Sequence, residues 1–292
     1  MRFGLGCAPL AGLYEPVSDD DARATIDAAW DAGIRFFDTA PLYGSGLSER
    51  RVGEALRARP RDEYTLSTKV GRLLVPGRPA PMFPGATAAP VFDFSADGVR
   101  RSLAESLERL GLDRVDVALI HDPDDHLEEA LAEAYPALES LRAEGAVRQI
   151  GVGMNQWQAL ARFVRETDVD CVLVAGRYTL LDRSAEQELL PLCHERGCTV
   201  HAAGVFNSGL LAGGATFDYL PAPPELAERA RALAETCARW EVPLKAAALQ
   251  FPLRHAAAAD VVVGCRSRAE VEEDIALFRS PVPDGLWQEL DA

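Results

Sequence analysis

Eight short apolar, β-branched runs recur along the chain, and each is followed by a stretch with the amphipathic period of a helix. The runs cover residues 3–9, 35–39, 64–70, 115–121, 149–154, 171–175, 199–205 and 260–265. Helical periodicity fills 18–31, 47–59, 95–110, 127–144, 156–166, 184–196 and 268–278. The punctuation agrees with the period. Ser18 and an acidic first turn open one helix and Gly33 stops it, Gly111 and Gly145 stop two others, and Pro136 should kink or split the stretch in which it lies. Between residues 205 and 260 two helical stretches, 224–240 and 243–255, stand where one is expected, so one helix is extra. Continuous apolar strands alternating with helices indicate a parallel sheet covered by helices. Eight units over 292 residues fit one closed (β/α)8 TIM-barrel domain, spanning 1–292, better than an open doubly wound sheet. An open sheet wants a glycine fingerprint at a strand–helix turn. Here Gly4-Leu5-Gly6 runs into Ala8-Pro9, and Gly44-Ser45-Gly46 lacks the third glycine.

A barrel of this kind carries its reactive groups at the C-terminal ends of its strands. Asp38 ends the second run, Tyr43 follows in the next loop, Lys69 lies near the end of the third, and His121 ends the fourth. Lys69 and Lys245 are the only lysines, so a lysine on an apolar strand is not casual decoration. Taken singly, each residue has an ordinary explanation: a turn cap, a loop aromatic or a core histidine. On three consecutive strand ends they converge, because neighbouring strands lie about 5 Å apart. Together they can move a proton at an alcohol or carbonyl oxygen. A tyrosine titrates too high to serve well at neutral pH, and a nearby ammonium is expected to lower it. A carboxylate holds the lysine charged, and an imidazole orients the substrate oxygen. The missing electron partner points to a nicotinamide.

Composition narrows the field. A formal net charge of −15 and a pI of about 4.8 offer no basic stripe for nucleic acid. No run is long enough to cross a bilayer, and the N-terminus does not read as a signal peptide, so the expected compartment is the cytoplasm. The six cysteines form no CxxC pair and read as reduced, buried thiols. Cys193, His194, Cys198 and His201 cluster in sequence, but they straddle a helix end and the next strand, so no metal site is expected. The proline-rich stretch 72–89 shows neither helical nor strand period and reads as a loop shaping the substrate pocket.

The phrases FFDTAPLYGSGLSERRVGEAL, STKVG and LIHDPD resemble the aldo-keto reductase superfamily, and the resemblance runs end to end. It implies a catalytic tetrad of Asp38, Tyr43, Lys69 and His121, with Tyr43 as general acid/base. The phrases VFDFSADGVRRSLAESLERLGLDRVDVALIHDPDDH, IGVGMNQW, AGRYTLLDR and GVFNSGLLAG are similar to a bacterial branch of aldose dehydrogenases, with a pyridoxal 4-dehydrogenase among its relatives. That branch acts on the anomeric carbon of L-fucose, L-galactose or D-arabinose, so a small carbonyl compound or sugar is the implied substrate. Three positions depart from the common pattern around the nicotinamide: Gly153-Met154 replaces a Ser-Asn pair, Ala175 replaces a glutamine, and AAGVFNSG lacks a stacking tyrosine. Asn155, Tyr178 and Phe206 are the residues expected to fill those roles. The loops after the seventh and eighth strands are the expected home of the cofactor phosphates. They supply Phe206, Asn207, Ser208, Gly209 and Leu211, then Gly264, Arg266 and Arg268, with Glu273 and Asp274 at the adenosine end. NADP-using relatives place a basic residue at the position of Gly264 and an arginine at that of Glu270. Glu270 favours NAD or dual use, against the nearby charge of Arg266 and Arg268. Two other readings stay open at this level: a non-catalytic barrel that keeps the cofactor as a sensor or subunit, and a Schiff-base lyase acting through Lys69. Sequence does not decide the oligomeric state.

Overall fold

The computed structural model describes residues 2–13, 15–77, 83, 86 and 88–291. Its strands β1 (Phe3–Gly6), β2 (Phe36–Asp38), β3 (Thr65–Val70), β4 (Val117–His121), β5 (Gln149–Met154), β6 (Cys171–Ala175), β7 (Thr199–Ala203) and β8 (Ala258–Gly264) are all parallel. They close in chain order, β1 pairing with both β2 and β8. The expected barrel is therefore the observed fold.

The two-residue period of a strand sorts side chains to two faces. Phe37, Leu66, Val70, Ala118 and Ile120 join the large core between barrel and helices. Val117, Leu119, Cys171 and Leu173 form a separate cluster inside the barrel, with Phe36 packed against it. Gly4 makes room for that ring, since a Cβ there would lie 2.6 Å from Phe36 Cδ1. Phe36 in turn stacks on His201 at 4.8 Å. The His201 Nδ1 lies 3.0 Å from Asp260 Oδ1. Burial alone would depress this imidazole, but Asp260 and Cys171 outweigh it and hold its pKa well above the usual range. All six cysteines are free and buried. Among the described residues no His, Cys, Asp and Glu side chains gather as a metal-ligand set. No helix among them is long and apolar enough to cross a membrane.

Several local expectations need correction. Part of the stretch 72–89 is a hairpin: Arg72–Pro76 pairs antiparallel with Ala88–Phe92, Leu74 facing Pro90. Prolines interrupt the alternation that would have marked these strands, and a two-stranded ribbon tolerates them because it has edges on both sides. Residues 78–82, 84, 85 and 87 of that stretch lie outside the described residues. The helix expected over 184–196 runs only Leu189–Arg196. Thr179 and Asp182 hold its first residues in a turn, with Thr179 Oγ1 accepting from Asp182 N at 2.9 Å and Asp182 Oδ1 from Ser184 N at 3.0 Å. Pro136 does split its helix: a π-turn at Ala130–Ala134 separates Leu127–Glu129 from Tyr135–Ala143. The doubled helices after β7 are Pro224–Arg239 and Leu244–Gln250, and a further helix, Asp284–Asp291, follows the last unit.

One buried ion pair fastens the helix Leu47–Leu56, which follows β2, to the helix Ala96–Leu110, which precedes β4. Glu49 is fully buried, accepting from Arg109 Nε at 2.5 Å and from Thr68 Oγ1 at 2.8 Å. Removing one partner of a buried pair strands the other charge. Arg109→Ala should therefore cost about 3–5 kcal/mol. Arg100→Ala, at the exposed Arg100–Glu144 pair, should leave stability almost unchanged. Urea titration of both variants measures this, and equal midpoints would contradict the assignment.

Candidate active site

Asp38, Lys69 and His121 share the inner face of the barrel near its C-terminal rim. Register places Asp38 beside Ser67 and Lys69 beside Leu119, so the groups rise stepwise around the rim. Lys69 Nζ donates to Asp38 Oδ2 at 2.6 Å and to the Thr39 carbonyl at 3.0 Å. Gly153 leaves space beside the lysine stem, a Cβ there falling 3.6 Å from Lys69 Cε. Tyr43 comes from the loop after β2, where Gly44, Ser45 and Gly46 are successively left-handed. Ser48 ties this loop down, donating to the Cys7 carbonyl and meeting Thr39 Oγ1, both at 2.8 Å. The half-buried Tyr43 ring lies 4.9 Å from Lys69 Nζ and 6.0 Å from the His121 ring, edge to face. Phe83 packs 6.1 Å away on its outer side. The four groups expected from sequence thus meet in one place.

Their electrostatics depart from expectation at one point. Burial pushes the Tyr43 phenol above its usual range, and Lys69 opposes this without overcoming it. The lysine does not lower the phenol outright: loss of water around the phenolate costs more than one neighbouring ammonium returns. Burial would depress Lys69, but Asp38 and Tyr43 outweigh it and hold the ammonium charged. His121 is pushed well below its usual range by burial first, then by Arg72 and Lys69. It stands as a neutral imidazole at physiological pH. Its Nδ1 is buried without a partner among the described residues.

The walls around these groups were not anticipated. Arg72 Nη2 reaches Asp122 Oδ2 at 2.6 Å, and that oxygen lies 3.4 Å from His121 Nε2. Across the mouth Arg177 holds Asp218 at 2.5 Å, on the turn between the short strands Thr216–Phe217 and Leu220–Pro221. Tyr219 on the same turn feels the charges of Asp122, Asp218 and Lys69. These pairs join residues from different βα loops, so no local pattern announces them.

Comparison with known proteins agrees with this geometry. The sequence profile described as the Aldo/keto reductase family matches residues 2–292. The chain belongs to the aldo/keto reductase family. It is 47% identical over 304 residues to the D-threo-aldose 1-dehydrogenase of a Pseudomonas species, covering 99% of this chain and 92% of that one. It is 43% identical over 316 residues to the pyridoxal 4-dehydrogenase of Microbacterium luteolum, with the same coverage. Among solved structures, an aldo-keto reductase from Bacillus halodurans in its holo form superposes with a TM-score of 0.80 at 27% identity. That match covers 99% of this chain and 91% of the other. The chain is an oxidoreductase by this membership.

In this aldo/keto reductase the residues expected around a cofactor divide into two groups. Asn155 lies just past β5, its amide nitrogen and that of Asn207 both near the space beside Gly176. Asn207, Ser208 and Gly209 are successively left-handed at φ 47°, 56° and 98°, which turns the backbone after β7 into a cradle. Asn207 is itself committed: it donates to the Gly176 carbonyl at 3.1 Å and accepts from Thr179 Oγ1 at 2.7 Å. Ser208 Oγ accepts from Tyr219 N at 3.1 Å, Leu211 is core, and Phe206 lies under Lys245 at 5.6 Å. Gly264 ends β8 against Pro9, and Ser267 caps the helix Arg268–Arg279 that carries Glu273 and Asp274. Lys245 holds both carboxylates, at 2.8 and 2.9 Å. Arg266 is paired with Glu270 and Glu15, each at 2.7 Å, and Arg268 lies 3.4 Å from Glu272. Tyr178 does not belong with this set. Its ring is buried against Phe251 at 5.2 Å and His255 at 6.4 Å, among the outer helices. The left-handed turn at Gly176 directs the chain away from the rim before Tyr178 is reached.

Proposed function

We propose that this chain is a nicotinamide-dependent aldose dehydrogenase. It moves a hydride between NAD(P) and the anomeric carbon of a sugar, or the carbonyl carbon of a small aldehyde, with Tyr43 as proton carrier. One observation carries the reading: Lys69 Nζ stands 2.6 Å from Asp38 and 4.9 Å from the Tyr43 ring, and the His121 ring lies 6.0 Å from that same ring. The relatives named for an aldose and for pyridoxal, both dehydrogenases, support it.

A bound nicotinamide supplies the hydride acceptor or donor. In oxidation Tyr43 Oη takes the proton of the anomeric hydroxyl, and in reduction it returns that proton to the carbonyl oxygen. Lys69 stabilises the phenolate while Asp38 keeps Lys69 charged and in place. The neutral His121 offers its ring N–H to the same substrate oxygen. The chemistry of the loops after β7 and β8 fits a dinucleotide: a turn of left-handed residues from Asn207 to Gly209, followed by the capped N-terminus of Arg268–Arg279. Asn155, Phe206, Asn207, Ser208 and Gly209 would lie along the nicotinamide and phosphates, while Leu211, expected among them, is wholly buried in the core and only supports that loop. Gly264, Arg266, Arg268, Glu273 and Asp274 would surround the adenosine. A Schiff-base role for Lys69 is disfavoured, because a charged amine donating to two oxygens is no nucleophile.

The preferred cofactor is NAD. Glu270 binds Arg266 through the backbone N–H at 2.8 Å and Nε at 2.7 Å, and Glu15 takes a further nitrogen. Two carboxylates on one guanidinium leave no net positive charge for a 2′-phosphate. The ratio of kcat/KM for NAD over NADP should exceed one; a hundredfold preference for NADP would overturn this assignment. The function itself is tested by following the absorbance of reduced nicotinamide with both cofactors against a panel of aldoses and aldehydes. Turnover on no member of the panel would refute it.

A further inference from the structure

We propose that Asp122, locked by Arg72, is a specificity-determining residue that binds the substrate hydroxyl next to the reacting oxygen. The inference rests on the aldose reading above and deepens it, because it says why the pocket takes a polyhydroxylated substrate. Asp122 directly follows His121 and has a left-handed backbone, φ 44°, its N–H donating to the Gly153 carbonyl at 3.0 Å. Such a conformation is unfavourable for a residue other than glycine, and it is kept where the surroundings require it. Here it turns the carboxylate back over His121. One oxygen, Oδ2, is taken: Arg72 lies at 2.6 Å and His121 Nε2 at 3.4 Å. The other, Oδ1, accepts no hydrogen bond from a described residue, and the side chain is 30% exposed on the mouth of the pocket.

Arg72 cannot swing away to release the pair. Its guanidinium lies 4.7 Å over the Phe92 ring of the hairpin, and its side chain is 12% exposed. Burial raises the Asp122 carboxyl above its usual range; of the charges facing it, Arg72 and Lys69 favour its ionised form and Asp124 opposes it. A carboxylate fixed in this way keeps Oδ2 beside the imidazole, 3.4 Å from Nε2, and leaves Oδ1 to accept from a ligand. Because Asp122 directly follows His121, a substrate oxygen held by His121 and Tyr43 brings the hydroxyl on the adjacent carbon toward Asp122. The opposite wall repeats the chemistry with Arg177 and Asp218. An apolar aldehyde would leave these polar groups without partners, which is how a site built for hydroxyls rejects analogues lacking them.

The test compares kcat/KM for an aldose with that for its 2-deoxy analogue, using NAD, in the wild type and in Asp122→Gly. Glycine adopts the left-handed backbone readily and carries no acceptor, and NAD binding read by protein fluorescence checks that the variant is folded. The wild type should prefer the hydroxylated sugar by about ten- to a hundredfold, the factor a hydrogen bond to a charged group supplies. In the variant the preference should fall close to one, mainly through KM. A preference that survives in Asp122→Gly would overturn the inference, with the aldose reading intact. Failure of the wild type on every aldose would overturn the aldose reading, and this inference with it.

Discussion

Replacing Tyr43 with phenylalanine should lower turnover by about 10²–10⁴ or more, the contribution of a positioned acid–base group. The ring would remain, so its packing against Phe83 and beneath the Lys69 ammonium is preserved. Only the Oη that carries the proton is lost. Binding of reduced nicotinamide, followed by quenching of protein fluorescence, should change little, because Tyr43 lies in the loop after β2 and the proposed dinucleotide loops follow β7 and β8. The loss should therefore fall on kcat. Turnover near the wild-type value in Tyr43→Phe would remove the phenol from the reaction, and a collapse of cofactor binding would mean that the substitution had disturbed the fold.

Lys69→Met should damage stability and catalysis together, and the two can be separated. Lys69 and Asp38 are both almost wholly buried, so removing the ammonium leaves a carboxylate in the barrel without its partner. Its other oxygen, Oδ1, is already without one among the described residues. Breaking such a pair costs about 3–5 kcal/mol. Changing Asp38 to Asn in the same chain should restore most of that loss, since replacing both members of a buried pair is far milder than removing one. Activity should stay low in the double variant. The pH profile gives an independent sign. The phenol is raised by burial, and Lys69 is what holds that rise in check. Without Lys69 it rises further, so the alkaline rise in oxidation rate should move to higher pH. A double variant that regains activity along with stability, or a profile that does not move, would contradict the pairing.

How much of this was legible in the chain follows from the range over which each signal acts. Alternation of apolar runs and amphipathic stretches is local, so the barrel could be read. The meeting of the four side chains was readable because barrel topology brings consecutive strand ends together, and Asp38, Lys69 and His121 share the inward phase of their strands. The hairpin at Arg72–Pro76 and Ala88–Phe92 was not, since prolines broke its period. The Arg72–Asp122 and Arg177–Asp218 pairs could not be found either, being 50 and 41 residues apart along the chain. Tyr178 was misplaced for a related reason: an aromatic beside a strand end has two directions open to it, and the turn at Gly176 decides between them. Lys69 does lower the Tyr43 phenol as expected, but burial outweighs it, because sequence gives proximity of charge and not the depth of burial that opposes it.

Isotope placement decides whether hydride leaves the anomeric carbon while Tyr43 handles only the proton. An aldose carrying deuterium on its anomeric carbon is oxidised in ordinary water, and the reduced nicotinamide is isolated and examined by mass spectrometry. Each reduced nicotinamide should carry one deuterium. Reduced nicotinamide without deuterium, or consumption of the sugar with no reduced nicotinamide formed, would contradict it.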